Sequence, residues 1–202
     1  MRSSSCWPSA AISNGGNLSA KLSMVSRIVV TGAESTGKST LAEALAAHFG
    51  EPCVAEYVRE FWDAHEGKIT ADDLGTIARM QMETEDAAAK RAKRVLFCDT
   101  DLLTNVLWAD LLYGGKCPDW VRTEADTRCQ GYGLYLLCDT DIPFAPDPQR
   151  SFPDPEGREM CRQLWRQTLI ARDLPFVELK GDLGAREQRA IDAVKRVLAL
   201  TE

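Results

Sequence analysis

Residues 28–41 read IVVTGAESTGKSTL, and no other stretch leaves the chain so little freedom. Ile28, Val29 and Val30 are a short β-branched run suited to a strand buried on both faces. Gly32 to Ser39 then follow the pattern G-x-x-x-x-G-K-[ST], a phosphate-binding loop. Glycines at 32 and 37 let the backbone curl so that successive N–H groups point inward at a polyphosphate, where a side chain would intrude. Lys38 would reach the outer phosphates and the Ser39 hydroxyl suits Mg²⁺, while the helix starting near Lys38 adds the positive end of its dipole. Gly32, Ala33, Glu34, Ser35, Thr36, Gly37, Lys38, Ser39 and Thr40 are therefore the expected nucleotide contacts. A glycine-rich turn would meet all four fixed positions by chance on the order of once in a hundred chains of this length.

Strands and helices can be placed in turn around this run. Residues 40–49 carry Leu41, Ala44 and Leu45 on one helical face, and Gly50 supplies the stop. Residues 52–57 (PCVAEY) read as a second strand running straight into Val58, Arg59, Glu60, Phe61 and Trp62. That puts Glu56, Tyr57 and Arg59 where open α/β sheets bind ligands. Thr70, followed by Asp72 and Asp73, opens a long helix over 70–94, whose cationic end KRAKR (90–94) complements a helix C-terminus better than it marks a nucleic-acid patch. A third strand at 95–98 (VLFC) ends in Asp99, Thr100 and Asp101. A carboxylate on a rigid strand end beside the phosphate loop suits Mg²⁺, and Asp99 is the candidate.

Helices over 102–113 and 118–129 are separated by Gly114 and Gly115, with Trp108, Tyr113 and Trp120 in this region; Tyr113, beside the glycine pair, is placed to face a cleft. A fourth strand at 132–138 leads into residues 142–158, where five prolines between 143 and 155 forbid helix interior and central strand. Such a segment within a compact domain reads as a lid, and Arg150 and Arg158 suit a lid that folds over a transferring phosphoryl group. A helix over 159–172, a fifth strand at 176–179, a turn at 181–183 placed for adenine-side contact, and a helix over 185–200 complete the chain. Repeated βα units imply an α/β fold, a three-layer α/β/α sandwich around a parallel five-stranded sheet.

Composition limits the remaining classes. The 202 residues suffice for one domain with a substantial core, at 45% hydrophobic and 27% charged. A net charge of −6 argues against an extended nucleic-acid surface, and no apolar run is long enough to span a membrane. The seven cysteines are odd in number and lack any C-x-x-C pair, so Cys53, Cys98 and Cys138 are expected to pack as small hydrophobes in a cytoplasmic protein without disulfide framework or structural zinc. Residues 1–26, rich in Ser, Gly and Asn and free of acids, are expected to be a disordered leader or the product of a start assigned upstream of Met24, leaving 27–202 as the phosphate-loop domain.

Five motifs together carry a resemblance: GAESTGKSTL at 32–41, AEYVREF at 55–61, FCDTDLLTN at 97–105, LLYGGK at 111–116 and FAPDPQRS at 144–151. In order and spacing the chain, over about residues 26–200, resembles the ribosylnicotinamide kinase domain of bacterial NadR-type proteins. The resemblance implies a nucleoside-kinase-like P-loop fold that uses ATP and Mg²⁺ to phosphorylate the 5′-hydroxyl of nicotinamide riboside, giving nicotinamide mononucleotide in NAD salvage. By position it implies that Lys38 and Ser39 hold phosphates and metal, Asp99 supports the metal, Tyr113 stacks on the nicotinamide ring, and Asp147 and Arg150 belong to the lid. Glu56 is the candidate general base, with Asp101 the competing candidate or a ribose ligand. Ala55 stands where some relatives carry a Trp, for which Trp62 or Trp108 would have to compensate. Lacking an H-x-G-H-type adenylyltransferase motif, the chain is expected to stop at the mononucleotide. A kinase for another nucleoside and a regulatory nucleotide-binding ATPase are the alternative expectations.

Overall fold

The computed structural model describes residues 25–201. The expected leader lies outside the described residues except for its last two positions, and the first strand already begins at Ser26. Five strands form one sheet: β1 (Ser26–Gly32), β2 (Cys53–Val54), β3 (Val95–Asp99), β4 (Leu134–Cys138) and β5 (Phe176–Leu179), in the order β2-β3-β1-β4-β5. All pairs are parallel; β1 is central, with Val30 opposite Asp99 of β3 and Gly32 opposite Cys138 of β4. The three-layer parallel α/β architecture expected from the sequence is the one observed.

Strand residues alternate between two cores, as a period of two requires. Ile28, Val30, Val95, Phe97, Leu134 and Leu136 face one side, where α1 (Lys38–Phe49) and α7 (Leu183–Thr201) bring Leu41, Leu45, Ile191 and Val194. Val29, Leu96, Cys98, Tyr135 and Leu137 face the other. There α3 (Leu74–Ala89), α4 (Leu102–Leu112), α5 (Asp119–Cys129) and α6 (Pro155–Ala171) pack with Ala78, Leu103, Val121 and Trp165. Each fully buried Leu or Val stabilises the fold by roughly 2 kcal/mol relative to exposure. Cys98 and Cys138 are core residues, as expected, while Cys53 at the sheet edge is only partly buried.

Several boundaries differ from the sequence expectation, each for a local reason. The second strand is only Cys53–Val54; the chain turns at Glu56 into α2 (Tyr57–Ala64) instead of continuing extended. Val58, Phe61 and Trp62 have strand-like composition, but their spacing places them on successive helical turns, with Phe61 buried and stacked on His65 at 3.8 Å. Thr70 does cap, through a reciprocal box with Asp73 around a 3₁₀ turn at Ala71–Asp73, but α3 stops at Ala89 and not at 94. Of the KRAKR run, Arg91 donates to the Ala87 carbonyl in the last turn, whereas the N–H groups of Lys93 and Arg94 are held by Glu51 on the way into β3. Finally, Asp154 caps Gly157 N at 2.7 Å with Pro155 in the first turn, so α6 begins earlier than residue 159 and Arg158 belongs to a helix, not to the irregular lid.

Gly32 shows how tightly the center is built. Its φ is +134°, and a Cβ there would lie 2.7 Å from the Cys138 carbonyl oxygen of β4. Gly32→Ala is expected to destabilise the fold by about 2 kcal/mol, read as a lower urea midpoint at unchanged m.

Candidate active site

A parallel sheet sends the carboxyl ends of all its strands to one edge, and the reactive residues collect there. From Gly32 the loop curls through Ser35 (φ +56°) and Gly37 (φ +76°) into α1. Thr36 Oγ1 and Lys38 Nζ both donate to the Ala33 carbonyl, at 2.8 and 2.9 Å, so the loop closes on itself around that oxygen. Thr40 is exposed on the first turn of α1. From α7, the buried Arg186 fastens this loop to its neighbours, donating to the carbonyls of Thr36 (2.7 Å), Asp139 (3.0 Å) and Gly181 (2.8 Å) and to the Asp141 carboxylate. Nothing in the sequence around Arg186 marks it; only burial of a lone arginine beside three loops reveals it.

The lid lies against the phosphate loop. Both oxygens of Glu34 accept from Ser151 N, at 2.9 and 3.0 Å, and one also accepts from Phe152 N at 2.9 Å. Ser35 Oγ accepts from Ala145 N at 2.7 Å. Arg158 donates to the carbonyls of Ile142 and Ser35, and Arg150 to that of Ala145, with both guanidinium groups over the Phe144 ring. Asp147 bridges Arg59 (3.5 Å) and Arg150 (3.4 Å), and its carboxyl sits below the usual range because the Gln149 N–H and both cations favor the charged form. Asp147 thus joins lid to α2 and is not part of the cavity wall.

A cavity of about 210 Å³ opens under the lid. Its wall combines polar side chains, Lys38, Glu56, Arg59, Asn105 and Arg150, with apolar and aromatic ones, Trp62, Ile77, Trp108, Leu112 and Tyr113. Trp108 is held in place by Trp165 at 4.9 Å and Phe152 at 6.2 Å. Ala55 is exposed and absent from the wall, while Trp62 and Trp108 line it. Tyr57 also falls outside the wall; its N–H is anchored at 2.7 Å by Gln81 Oε1.

Three acids converge on this edge in different surroundings. Glu56 lines the cavity, ion-paired with Arg59 at 3.4 Å; burial pushes its carboxyl above the ordinary value, opposed by the Lys38 charge. Asp99, 3% exposed at the end of β3, has an oxygen without any hydrogen-bond donor. Asp101 is committed elsewhere: Oδ1 caps α4 through Thr104 N and Oγ1, and Oδ2 accepts from Tyr135 OH at 2.7 Å. Burial raises its carboxyl to about 6 against those bonds. The sequence expectation of Asp101 as base or ribose ligand meets a side chain with both oxygens taken and outside the cavity wall.

Among the described residues, no cluster of three or more His, Cys, Asp or Glu is gathered as a metal site. Asp99, with an unpartnered buried oxygen at the end of the strand paired to β1, which leads into the phosphate loop, fits instead the Mg²⁺ pattern of one carboxylate with a loop hydroxyl and ligand phosphates. Among the same residues no helix is long and apolar enough to cross a membrane.

Loop, flanking strand and helix define a P-loop nucleotide-binding domain of nucleoside-kinase-like fold. Over residues 27–186 the chain matches the AAA_28 family, described as an AAA domain, and belongs to it. It is 28% identical over 179 residues to the trifunctional NAD biosynthesis/regulator protein NadR of Salmonella typhimurium, covering 86% of this chain but only 43% of the relative. A crystal structure of a NadR protein in complex with NR superposes with a TM-score of 0.66 at 23% identity, over 87% of this chain and 52% of that one. Deoxyadenosine kinase from M. mycoides with bound dATP follows with a TM-score of 0.57 at 13% identity, over 84% and 99%. The resemblance to NadR-type proteins drawn from the motifs is thus met by similarity in sequence and in fold, over about half the length of those proteins.

Because burial raises the Glu56 carboxyl, folding favours its protonated form, and the ionised side chain works against the fold at neutral pH. Glu56→Gln is expected to melt a few degrees above the parent at pH 7. The gap should close as pH falls below the ordinary carboxyl value of 4.5, where Glu56 is neutral in both states. Thermal melts across pH check this.

Proposed function

We propose that the chain is a kinase that transfers the γ-phosphoryl group of ATP to the 5′-hydroxyl of nicotinamide riboside, giving nicotinamide mononucleotide in NAD salvage. The observation that carries this reading is one cavity lined both by Lys38 and Glu56 and by Trp62, Trp108 and Tyr113, a combination suited to a nucleoside with its reactive hydroxyl toward the phosphate loop. The similarity to NadR proteins, one of them in complex with NR, supports the pyridine riboside over other bases.

In this reading residues 32–40 cradle the ATP phosphates, and Lys38 exchanges the Ala33 carbonyl for phosphate oxygens. Ser39 and Asp99 hold Mg²⁺, whose positive charge neutralises the phosphates when it is bound. Glu56 takes the proton of the acceptor hydroxyl, Arg59 orients Glu56, and Arg150 lies over the transferring group. Arg158 positions the lid through Ser35 and Ile142. Tyr113 stacks on the base, with Trp62 and Trp108 forming the rest of its apolar enclosure. Tyr57, through its anchored N–H, fixes the start of α2 beneath the acceptor.

A second reading, a kinase for another nucleoside, draws on Ala55: exposed and small, it adds no aromatic ring to the cavity wall.

Coupled ADP release with ATP and Mg²⁺, across nicotinamide riboside, nicotinic acid riboside, the ordinary nucleosides and no acceptor, decides between the readings. Turnover confined to the pyridine ribosides is expected; turnover with another nucleoside moves the assignment to the second reading, and release independent of any acceptor removes both. Glu56→Gln is expected to lower kcat by about a hundredfold or more. Turnover within a few-fold of the parent would show that Glu56 is not the base. Arg150→Ala should lower kcat more than it weakens ATP binding, and a pure rise in KM would overturn its place in the transition state.

A further inference from the structure

Helix α4 runs along the cavity and contributes three wall residues, Asn105, Trp108 and Leu112, at the i, i+3, i+7 spacing of one helical face. Its first turn is fixed next to the phosphate end, because α4 follows directly on Asp99 of β3 and is capped by the buried Asp101. At 1.5 Å rise per residue, Asn105 stands about 5 Å nearer that end than Trp108 and about 10 Å nearer than Leu112. The wall is therefore ordered along the helix: reacting groups, then one neutral amide, then aromatic and aliphatic surface.

The amide nitrogen of Asn105 is shielded from solvent and has no hydrogen-bond partner. Shielded donors are nearly always paired, and one left over in a cavity wall marks where a ligand acceptor belongs. A nucleoside with its 5′-hydroxyl at Glu56 and its base among Trp62, Trp108 and Tyr113 has its sugar at the level of Asn105. The groups a sugar offers there are neutral secondary hydroxyls, which an amide N–H can pair with while leaving their own hydrogen free for another acceptor.

We propose that Asn105 is a sugar-binding residue that selects acceptors carrying the secondary hydroxyls of ribose, its Nδ2 donating to a 2′- or 3′-hydroxyl oxygen. This rests on the nucleoside-kinase reading and deepens it. Asp101, the acid that the sequence offered for the sugar, is saturated by Thr104 and Tyr135, and Asn105 one turn further on takes that place. Since the bond is present in bound substrate and transition state alike, its loss falls mainly on KM.

The test measures kcat/KM for a riboside and for its 2′-deoxy and 3′-deoxy counterparts, in the parent and in Asn105→Ala. Nicotinamide riboside is the first choice; if another nucleoside is the one turned over, it and its deoxy forms replace it. The parent is expected to prefer the riboside over at least one deoxy form by about tenfold, and Asn105→Ala to bring that ratio close to one. The ratio is independent of how much of a variant is folded. Should Asn105→Ala not accumulate, Asn105→Ser, too short to reach the sugar, reads the same quantity. Asn105→Asp, whose carboxylate can accept from the same hydroxyls, should restore part of the preference. A parent with no preference, or a preference unchanged in the Ala and Ser variants, overturns the proposal. Absence of acceptor-dependent ADP release with every nucleoside is a different result: it removes the kinase reading itself, and the Asn105 proposal with it.

Discussion

Everything at the active edge depends on how closely the phosphate loop can approach β4. Gly32 pairs with Cys138 at a separation that excludes a methyl group, so the loop leaves the sheet from its very center. From that position the loop has β3 on one side, delivering Asp99, and β4 on the other, delivering Asp139 and Asp141 to the Arg186 tie. A parallel arrangement makes this convergence unavoidable, since all strands end at the same edge. The two-sided core enforces it, because a slip of one residue in β1 would move Ile28 and Val30 to the face now filled by Val29.

Much of this was legible in the residues. The β-branched run at 28–30 and the short apolar runs at 95–98 and 132–138 read as strands, and the glycine pattern between 32 and 37 left one kind of loop. Legibility failed where composition and spacing disagreed. Val58, Phe61 and Trp62 look like strand residues by type, yet the helix that holds them is selected by tertiary packing of Phe61 and by the anchoring of Tyr57 N on Gln81, a residue 24 positions away. The same limit applies to Asp101. Its motif places it beside Asp99, but only the folded chain brings Tyr135 from β4 to occupy its second oxygen. Arg186 and Asn105 are further cases, ordinary in sequence and distinctive only through what surrounds them.

The lid illustrates how an irregular segment is given a defined position. Its prolines withhold N–H groups, and three of the remaining donors are taken by side chains of the phosphate loop: Ser151 and Phe152 by Glu34, Ala145 by Ser35. Glu34 and Ser35 occupy variable positions of the loop pattern, so the nucleotide cradle and the lid are one hydrogen-bonded unit. Phe152, placed by Glu34, in turn lies against Trp108, which lines the cavity under the lid. The phosphate loop and the cavity wall are thus joined both directly, through Glu34 in the wall, and through Phe152.

Three acids within a few residues of strand ends raise the question of which can accept a proton, and their surroundings separate them. A general base needs a free oxygen, access to the acceptor and a carboxyl whose affinity for protons is not suppressed. Asp101 fails on the first two counts: three donors hold it, and it lies outside the cavity. Asp99 has a free oxygen but sits on the strand next to β1, which leads into the phosphate loop, where a divalent ion would compete for it. Glu56 meets all three, since it lines the cavity and burial lifts its carboxyl while Lys38 restrains the shift. Replacing the water around Glu56 with protein raises its basicity, while the half-exposed Arg59, 3.4 Å away, and Lys38 keep positive charge beside the carboxylate. The proposed base is thus distinguished from its neighbours by environment, not by residue type.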